Sequence, residues 1–194
     1  MDRTLIICGS AGRGGVTETM CQAAADRFRE RNHDVRVVFP SEMRIGHCTG
    51  CDGCVDGRCV IDDDMSVLYR LFSESDFLIL ASPLHFNGPS SLAKTVMDRF
   101  QPYWYGERPH PMALAVMLCA GSDSPNFGPA ESIIKAFALT TRMKMAGFLE
   151  IPGTDSTGDE GVRERVYGFV DGFLEKAEGR SSSVYRPPSP EGSG

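Results

Sequence analysis

Short apolar runs alternate with amphipathic stretches along most of the chain. Residues 4–8 (TLIIC), 35–39 (VRVVF), 77–82 (FLILAS), 112–119 (MALAVMLC) and 148–152 have strand length, and the first stops at Gly9. Between them lie helix patterns. In 17–31, Met20, Ala24 and Phe28 share one face; in 89–100, Leu92, Val96 and Phe100 form one stripe. A long helix is expected over 129–146, with Gly147 as its stop, and a final one over 160–177. The first, third and fourth apolar runs scarcely alternate, as expected of strands covered on both faces in a parallel sheet. Strand–helix repetition of this kind gives a doubly wound α/β fold, a three-layer α/β/α sandwich. The expected sheet has five strands in the order 2-1-3-4-5, with ligands beyond the carboxyl ends of the strands. One domain spans 1–178, and the Ser-, Pro- and Gly-rich residues 179–194 are expected to be a disordered tail.

With 194 residues the chain can bury a real core. Its formal charge of −6 argues against nucleic acid as a partner, since phosphate backbones demand a basic surface. No apolar run has the length to span a bilayer, and MDRTLIICGS carries no signal-peptide cleavage pattern. The reading is therefore a cytoplasmic protein with no membrane partner. In such a compartment the seven cysteines read as ligands or buried thiols rather than disulfides. Cys8, Cys21 and Cys119 stand among apolar neighbours and read as small buried side chains.

The other four cysteines crowd into one loop, 46–61, as CTGCDGCVDGRC. Cys48, Cys51, Cys54 and Cys59 have the spacing C-x2-C-x2-C-x4-C. Four packed thiolates suit an iron–sulfur cluster, and the absence of Cys-Pro and of a second cysteine set points to one self-contained [4Fe–4S] cluster. Gly50, Gly53 and Gly57 let backbone N–H groups turn towards the sulfurs. Two alternatives stand beside it. Structural zinc sites usually separate their two cysteine pairs by many residues, and Cys48 with Cys51 also forms a redox C-x-x-C.

After the first strand the chain reads GSAGRGGVTET. Glycines, the hydroxyls of Ser10 and Thr17 and a helix N-terminus together make a phosphate cradle. It lacks the Lys-Ser/Thr of a Walker loop, and Phe39-Pro40 ends strand two where a dinucleotide site has an acid, so a monophosphate is favoured over a bare glycine turn.

This loop resembles that of the flavodoxin-like NAD(P)H-dependent FMN reductases, roughly GSPRKGGNT, with Ala11, Gly12 and Val16 departing from it and Arg13 standing one residue after the usual base. The resemblance implies an FMN phosphate held by Ser10, Gly12, Arg13, Gly14, Gly15, Val16 and Thr17. Residues 82–100, SPLHFNGPSSLAKTVMDRF, are similar to the family's SPVYFGSMSAQLKAFIDR, with Lys94, Asp98 and Arg99 matching the helix. That implies an isoalloxazine ring wrapped by Ser82, Pro83, Leu84, His85, Phe86, Asn87 and Gly88, with Pro89 in the next helix's first turn. His85 either contacts the flavin or is a plain loop histidine. A third flavin loop is implied at 120–128, through Ala120, Gly121 and Ser122. The cysteine loop, followed by CVIDDDM, resembles the archaeal and anaerobic iron–sulfur flavoproteins over 1–177. Asp62–Asp64 suit a helix cap. That resemblance implies one cluster and one FMN per subunit, a redox partner such as ferredoxin or NAD(P)H, and a homodimer or homotetramer in which a cluster lies near a neighbour's FMN. Residues 102–111 (PYWYGERPHP) either cover that interface or pack in the core. No residue is assigned a catalytic proton transfer. The rival functions are an NAD(P)H-dependent FMN or quinone reductase without a cluster, and a zinc-stabilised flavin-binding module without turnover.

Overall fold

Strand and helix alternate as the hydropathy requires. The computed structural model describes residues 1–156 and 158–181, so the expected tail lies outside the described residues from 182 onward. The strands are β1 (Arg3–Cys8), β2 (Asp34–Val38), β3 (Phe77–His85), β4 (Gly88–Pro89), β5 (Ala113–Cys119) and β6 (Lys144–Ile151); the helices are α1 (Val16–Glu30), α2 (Met65–Glu74), α3 (Ser91–Asp98), α4 (Gly128–Thr140) and α5 (Asp159–Ser181). The main path is β2-β1-β3-β5-β6, all parallel, which is the expected flavodoxin-like order, and the two-residue β4 pairs antiparallel with the end of β3.

Successive side chains of a strand point to opposite faces, and here both faces are apolar. Ile6, Cys8, Ile79, Ala81, Ala115 and Met117 pack against α1 and α5 with Phe28, Val166 and Phe173. Leu5, Ile7, Leu78, Leu80, Leu114 and Val116 pack on the other side with Leu68 and Phe72 of α2, Val96 of α3 and Ile134 of α4. Two-sided burial is the physical reason for the unalternating runs. Among the described residues no helix is long and apolar enough to cross a membrane.

Four expectations are corrected. The helix expected over 129–146 ends at Thr140. Arg142 turns left-handed (φ 61°), and the Met143 N–H donates to Ala138 O at 2.9 Å, a helix-terminating geometry reached without glycine. The fifth strand therefore starts at Lys144 rather than 148. Gly147 is no helix stop; it follows a bulge, where pairing with β5 steps from Leu114–Met145 to Ala115–Gly147. Pro89 lies in β4 opposite Leu84 instead of in the first turn of α3. The cap is Ser90, whose Oγ accepts from Ala93 N at 3.0 Å.

Candidate functional site

The carboxyl ends of β1, β3 and β5 lie side by side, and β1 and β3 flank the point where the strand order reverses. A tight join links them. Gly9 N donates to Ala81 O at 2.7 Å, and Ser90 Oγ donates to Gly9 O. A Cβ at Gly9 would stand 2.7 Å from Ala93 Cβ and 2.8 Å from Ala81 O, so only glycine lets the first loop leave the sheet here.

Beyond Gly9 the loop opens. No side chain caps α1 at Gly15, which leaves its first-turn N–H groups for a ligand. A Cβ built on Gly12, Gly14 or Gly15 meets nothing within 4 Å. Ser10 Oγ lies on this loop and donates to Gly12 O at 3.2 Å. Two residues expected to donate to phosphate are engaged elsewhere. Thr17 is buried, its hydroxyl 3.3 Å from Cys119 Sγ. Arg13 donates to the Glu18 carboxylate at 2.7 and 3.0 Å and to Glu42, and lies over the Phe39 ring, 3.9 Å from its centroid. Glu18 also accepts from Gly14 N at 2.7 Å, and the Arg13 guanidinium with this N–H holds its carboxyl below the usual range.

The second loop is a hairpin. His85 pairs with Gly88 across Phe86 (φ 52°) and Asn87 (φ 63°), a two-residue turn with both central residues left-handed. Ser82 is buried and works structurally: its Oγ accepts from Ser90 N at 2.9 Å and donates to Pro83 O at 2.9 Å, pinning the hairpin to α3. His85, Phe86 and Asn87 are exposed at the tip, with Pro83, Leu84 and Gly88 half-buried below. A bulky aromatic in left-handed backbone costs roughly 1–2 kcal/mol, and strain of this kind is kept where a site uses it. Phe86→Gly is expected to raise unfolding stability by about 1 kcal/mol, read from the urea midpoint.

The third loop is braced by the segment after β6. Thr154 N donates to Ala120 O at 3.0 Å and Gly153 N to Ser122 O at 2.8 Å. The Asp155 carboxylate fills the place of a Gly121 side chain, 2.6 Å from where a Cβ would be. Residues 153–155 carry no motif that marks this role.

The cysteine loop leaves the region beyond β2 and returns to α2. Gly50, Asp52 and Gly57 are left-handed (φ 62°, 55° and 81°), so the loop coils on itself. Cys48, Cys51, Cys54 and Cys59 all line one cavity of about 190 Å³, with Arg99, Pro102 and Tyr105 on its wall. Among the described residues no three His, Cys, Asp or Glu side chains converge closely enough to hold a single ion; what joins the four thiols is the shared cavity. The Gly53 N–H and the Thr49 hydroxyl lower the Cys51 thiol, whereas burial, then the neighbouring Cys59, Cys48 and Cys51, push Cys54 up. The donor set, four soft sulfurs lining one volume with the Gly53 N–H at Cys51 and an Arg99 N–H at Cys59, fits an iron–sulfur cluster.

Arg99 is 1% exposed, and its guanidinium reaches this loop from the end of α3. It donates to both Asp63 oxygens (2.6 and 3.0 Å), to Gly46 O (2.8 Å) and to Cys59 Sγ (3.4 Å). Asp63 also accepts from Gly46 N at 2.9 Å and from Met65 N, the first residue of α2, at 3.0 Å. Opposite, the Arg108 guanidinium fills the space where a Gly57 side chain would be. Of the three adjacent aromatics, Tyr103 is in the core against Phe72 and Phe100, while Trp104 and Tyr105 are exposed.

Residues 3–150 match the family model described as NADPH-dependent FMN reductase. Over 81% of its length the chain is 34% identical to an iron–sulfur flavoprotein of Archaeoglobus fulgidus, covering 73% of that protein. The chain belongs to the NADPH-dependent FMN reductase family, among its iron–sulfur flavoproteins. Membership makes it a flavin-dependent oxidoreductase. Two solved structures share the fold. A flavone reductase aligns with TM-score 0.72 at 23% identity over 95% of this chain and 66% of its own. The NAD(P)H:quinone oxidoreductase of Methanothermobacter marburgensis aligns with TM-score 0.69 at 17% identity over 95% and 99%.

Of the three loops, the glycine loop with its uncapped helix and the hairpin tip present exposed residues, while the Ala120–Ser122 turn is tied to the segment after β6. Cys8, Cys21 and Cys119 are buried, as their apolar setting implied. Arg99 and Asp63 are the site residues that sequence reasoning undervalued. The available signal was a charged residue beside the 92/96/100 apolar stripe, which burial obliges to find a carboxylate, together with the acidic run at 62–64.

Proposed function

We propose that this protein passes electrons between a [4Fe–4S] cluster bound by Cys48, Cys51, Cys54 and Cys59 and an FMN bound at the carboxyl edge of the sheet. When bound, the cluster supplies one-electron transfer, and the flavin links it to two-electron chemistry. The chain's own residues hold and orient. Backbone N–H groups of Gly12, Gly15 and Val16 receive the phosphate, the 83–88 hairpin and the Ala120–Ser122 turn border the ring, and Arg99 holds the cysteine loop. The observation that carries the reading is the convergence of all four cysteines on one cavity walled by Arg99, which ends the helix that follows the flavin hairpin. A ferredoxin or NAD(P)H is the redox partner in this reading, and a homodimer or homotetramer the working form, with exposed Trp104 and Tyr105 at the subunit contact.

Anaerobic reconstitution with iron, sulfide and FMN tests it. The expected product holds about four iron, the content of a [4Fe–4S] cluster, with one FMN per chain, and its absorbance bleaches on reduction. A yellow, iron-free protein reduced by NADPH would leave a cluster-free reductase, and one zinc per chain a zinc-stabilised module.

A further inference from the structure

Among the described residues, two buried side-chain polar atoms have no hydrogen-bond partner, and both are arginine Nε atoms beside the cysteine loop, on Arg99 and Arg108. Arg99 is the more buried, and its four bonds have a particular layout. Gly46 precedes the first cysteine by two residues, and Asp63 follows the last by four. Nη1 spans these two points, donating to Gly46 O and Asp63 Oδ2, while Asp63 Oδ2 accepts from Gly46 N. Nη2 reaches inward from Asp63 Oδ1 to Cys59 Sγ. One planar fork closes the neck of the loop and lays an N–H on one of its four sulfurs.

We propose that Arg99 is a positioning residue of the cluster site, which clasps the two ends of loop 46–63 and, through its N–H to the Cys59 sulfur, sets how readily the bound cluster accepts an electron. The inference rests on the cluster reading above. A cluster held by four thiolates is anionic, and gaining an electron makes it more so; a donor directed at a ligand sulfur favours the reduced state. Asp63 cancels most of the guanidinium's long-range charge, so what reaches Cys59 is a directed N–H rather than a free cation. Lysine cannot replace it. A point charge with three rotatable donors lacks the rigid fork that meets both Asp63 oxygens, Gly46 O and Cys59 Sγ together. The backbone of Arg99 ends the helix that follows the flavin hairpin, so the clasp ties the cysteine loop to that helix.

The test is a spectroelectrochemical titration of reconstituted wild-type protein, Arg99→Lys, Arg99→Gln and Arg44→Gln. Arg44 stands just outside the neck with its side chain 87% exposed, so its replacement removes the same formal charge without touching the clasp. At the wild-type midpoint, both Arg99 variants are expected to lower the reduced-to-oxidised ratio of the cluster about tenfold, 59 mV for one electron. FMN content and the Arg44→Gln potential are expected to stay at wild-type values. An Arg99 variant that folds and binds FMN but holds no iron also supports the clasp, and Arg99→Lys carries the measurement if Arg99→Gln does not fold. Full iron content with a wild-type potential in Arg99→Lys overturns the inference, as does an equal shift in Arg44→Gln. Wild-type protein that takes up no iron overturns the cluster reading, and this inference with it.

Discussion

The Cys51→Ser protein is expected to bind FMN normally and to hold no iron after anaerobic reconstitution. Cys51 is the most exposed of the four thiols lining the cavity, and the Gly53 N–H and Thr49 hydroxyl ease its ionisation. A serine oxygen is harder than a thiolate and keeps its proton, so three sulfurs are left for a cluster that takes four. Iron and sulfide are expected to fall from about four of each per chain to near zero, with loss of the cluster's broad visible absorbance. The FMN absorbance is expected to stay, because the phosphate loop, the hairpin and the Ala120 turn leave the ends of other strands. Metal, sulfide and flavin assays on one preparation check all three statements. A full cluster in this variant would remove Cys51 from the ligand set.

Most of the fold was legible because burial on both faces leaves a plain mark: unbroken apolar runs at β1, β3 and β5. The chain between β5 and α5 was not. Residues 141–146 continue an apolar pattern that fits a helix as readily as a strand, and a non-glycine residue, Arg142, makes the turn that separates them. In the site, the glycine loop and the cysteine spacing stood out because backbone access and thiolate count are written directly in residue type. What Arg13 and Thr17 do was not so written. Both are natural phosphate donors, yet Arg13 is held by Glu18 on the next helix and by the more distant Glu42, and Thr17 lies against Cys119, far along the chain. Arg99 and Asp63, 36 residues apart, follow the same rule: a partner chosen by tertiary contact leaves little trace in either local pattern.

The second large effect is expected from that pair. Asp63→Ala leaves the guanidinium of Arg99 almost fully buried with no carboxylate, and takes the acceptor from Gly46 N and Met65 N as well. Breaking a buried pair by removing one partner costs about 3–5 kcal/mol, a loss to be read from urea unfolding of the iron-free chain at neutral pH. The pH dependence carries a definite sign. Burial pushes the Asp63 carboxyl up, but the Arg99 guanidinium and the N–H groups of Gly46 and Met65 outweigh it and hold the folded value below the usual range. The unfolded chain, at the ordinary carboxylate value of about 4, therefore takes up the proton first on acidification. The contribution of Asp63 is fully present above that value and is lost as pH falls through the lower, folded one. The stability gap between wild type and Asp63→Ala is thus expected to be widest at neutral pH and to narrow in acid. A gap that holds its size through the acid limb would mean that Asp63 acts as an acceptor for the Gly46 and Met65 N–H groups and as a packing group, and that its charge on Arg99 contributes little.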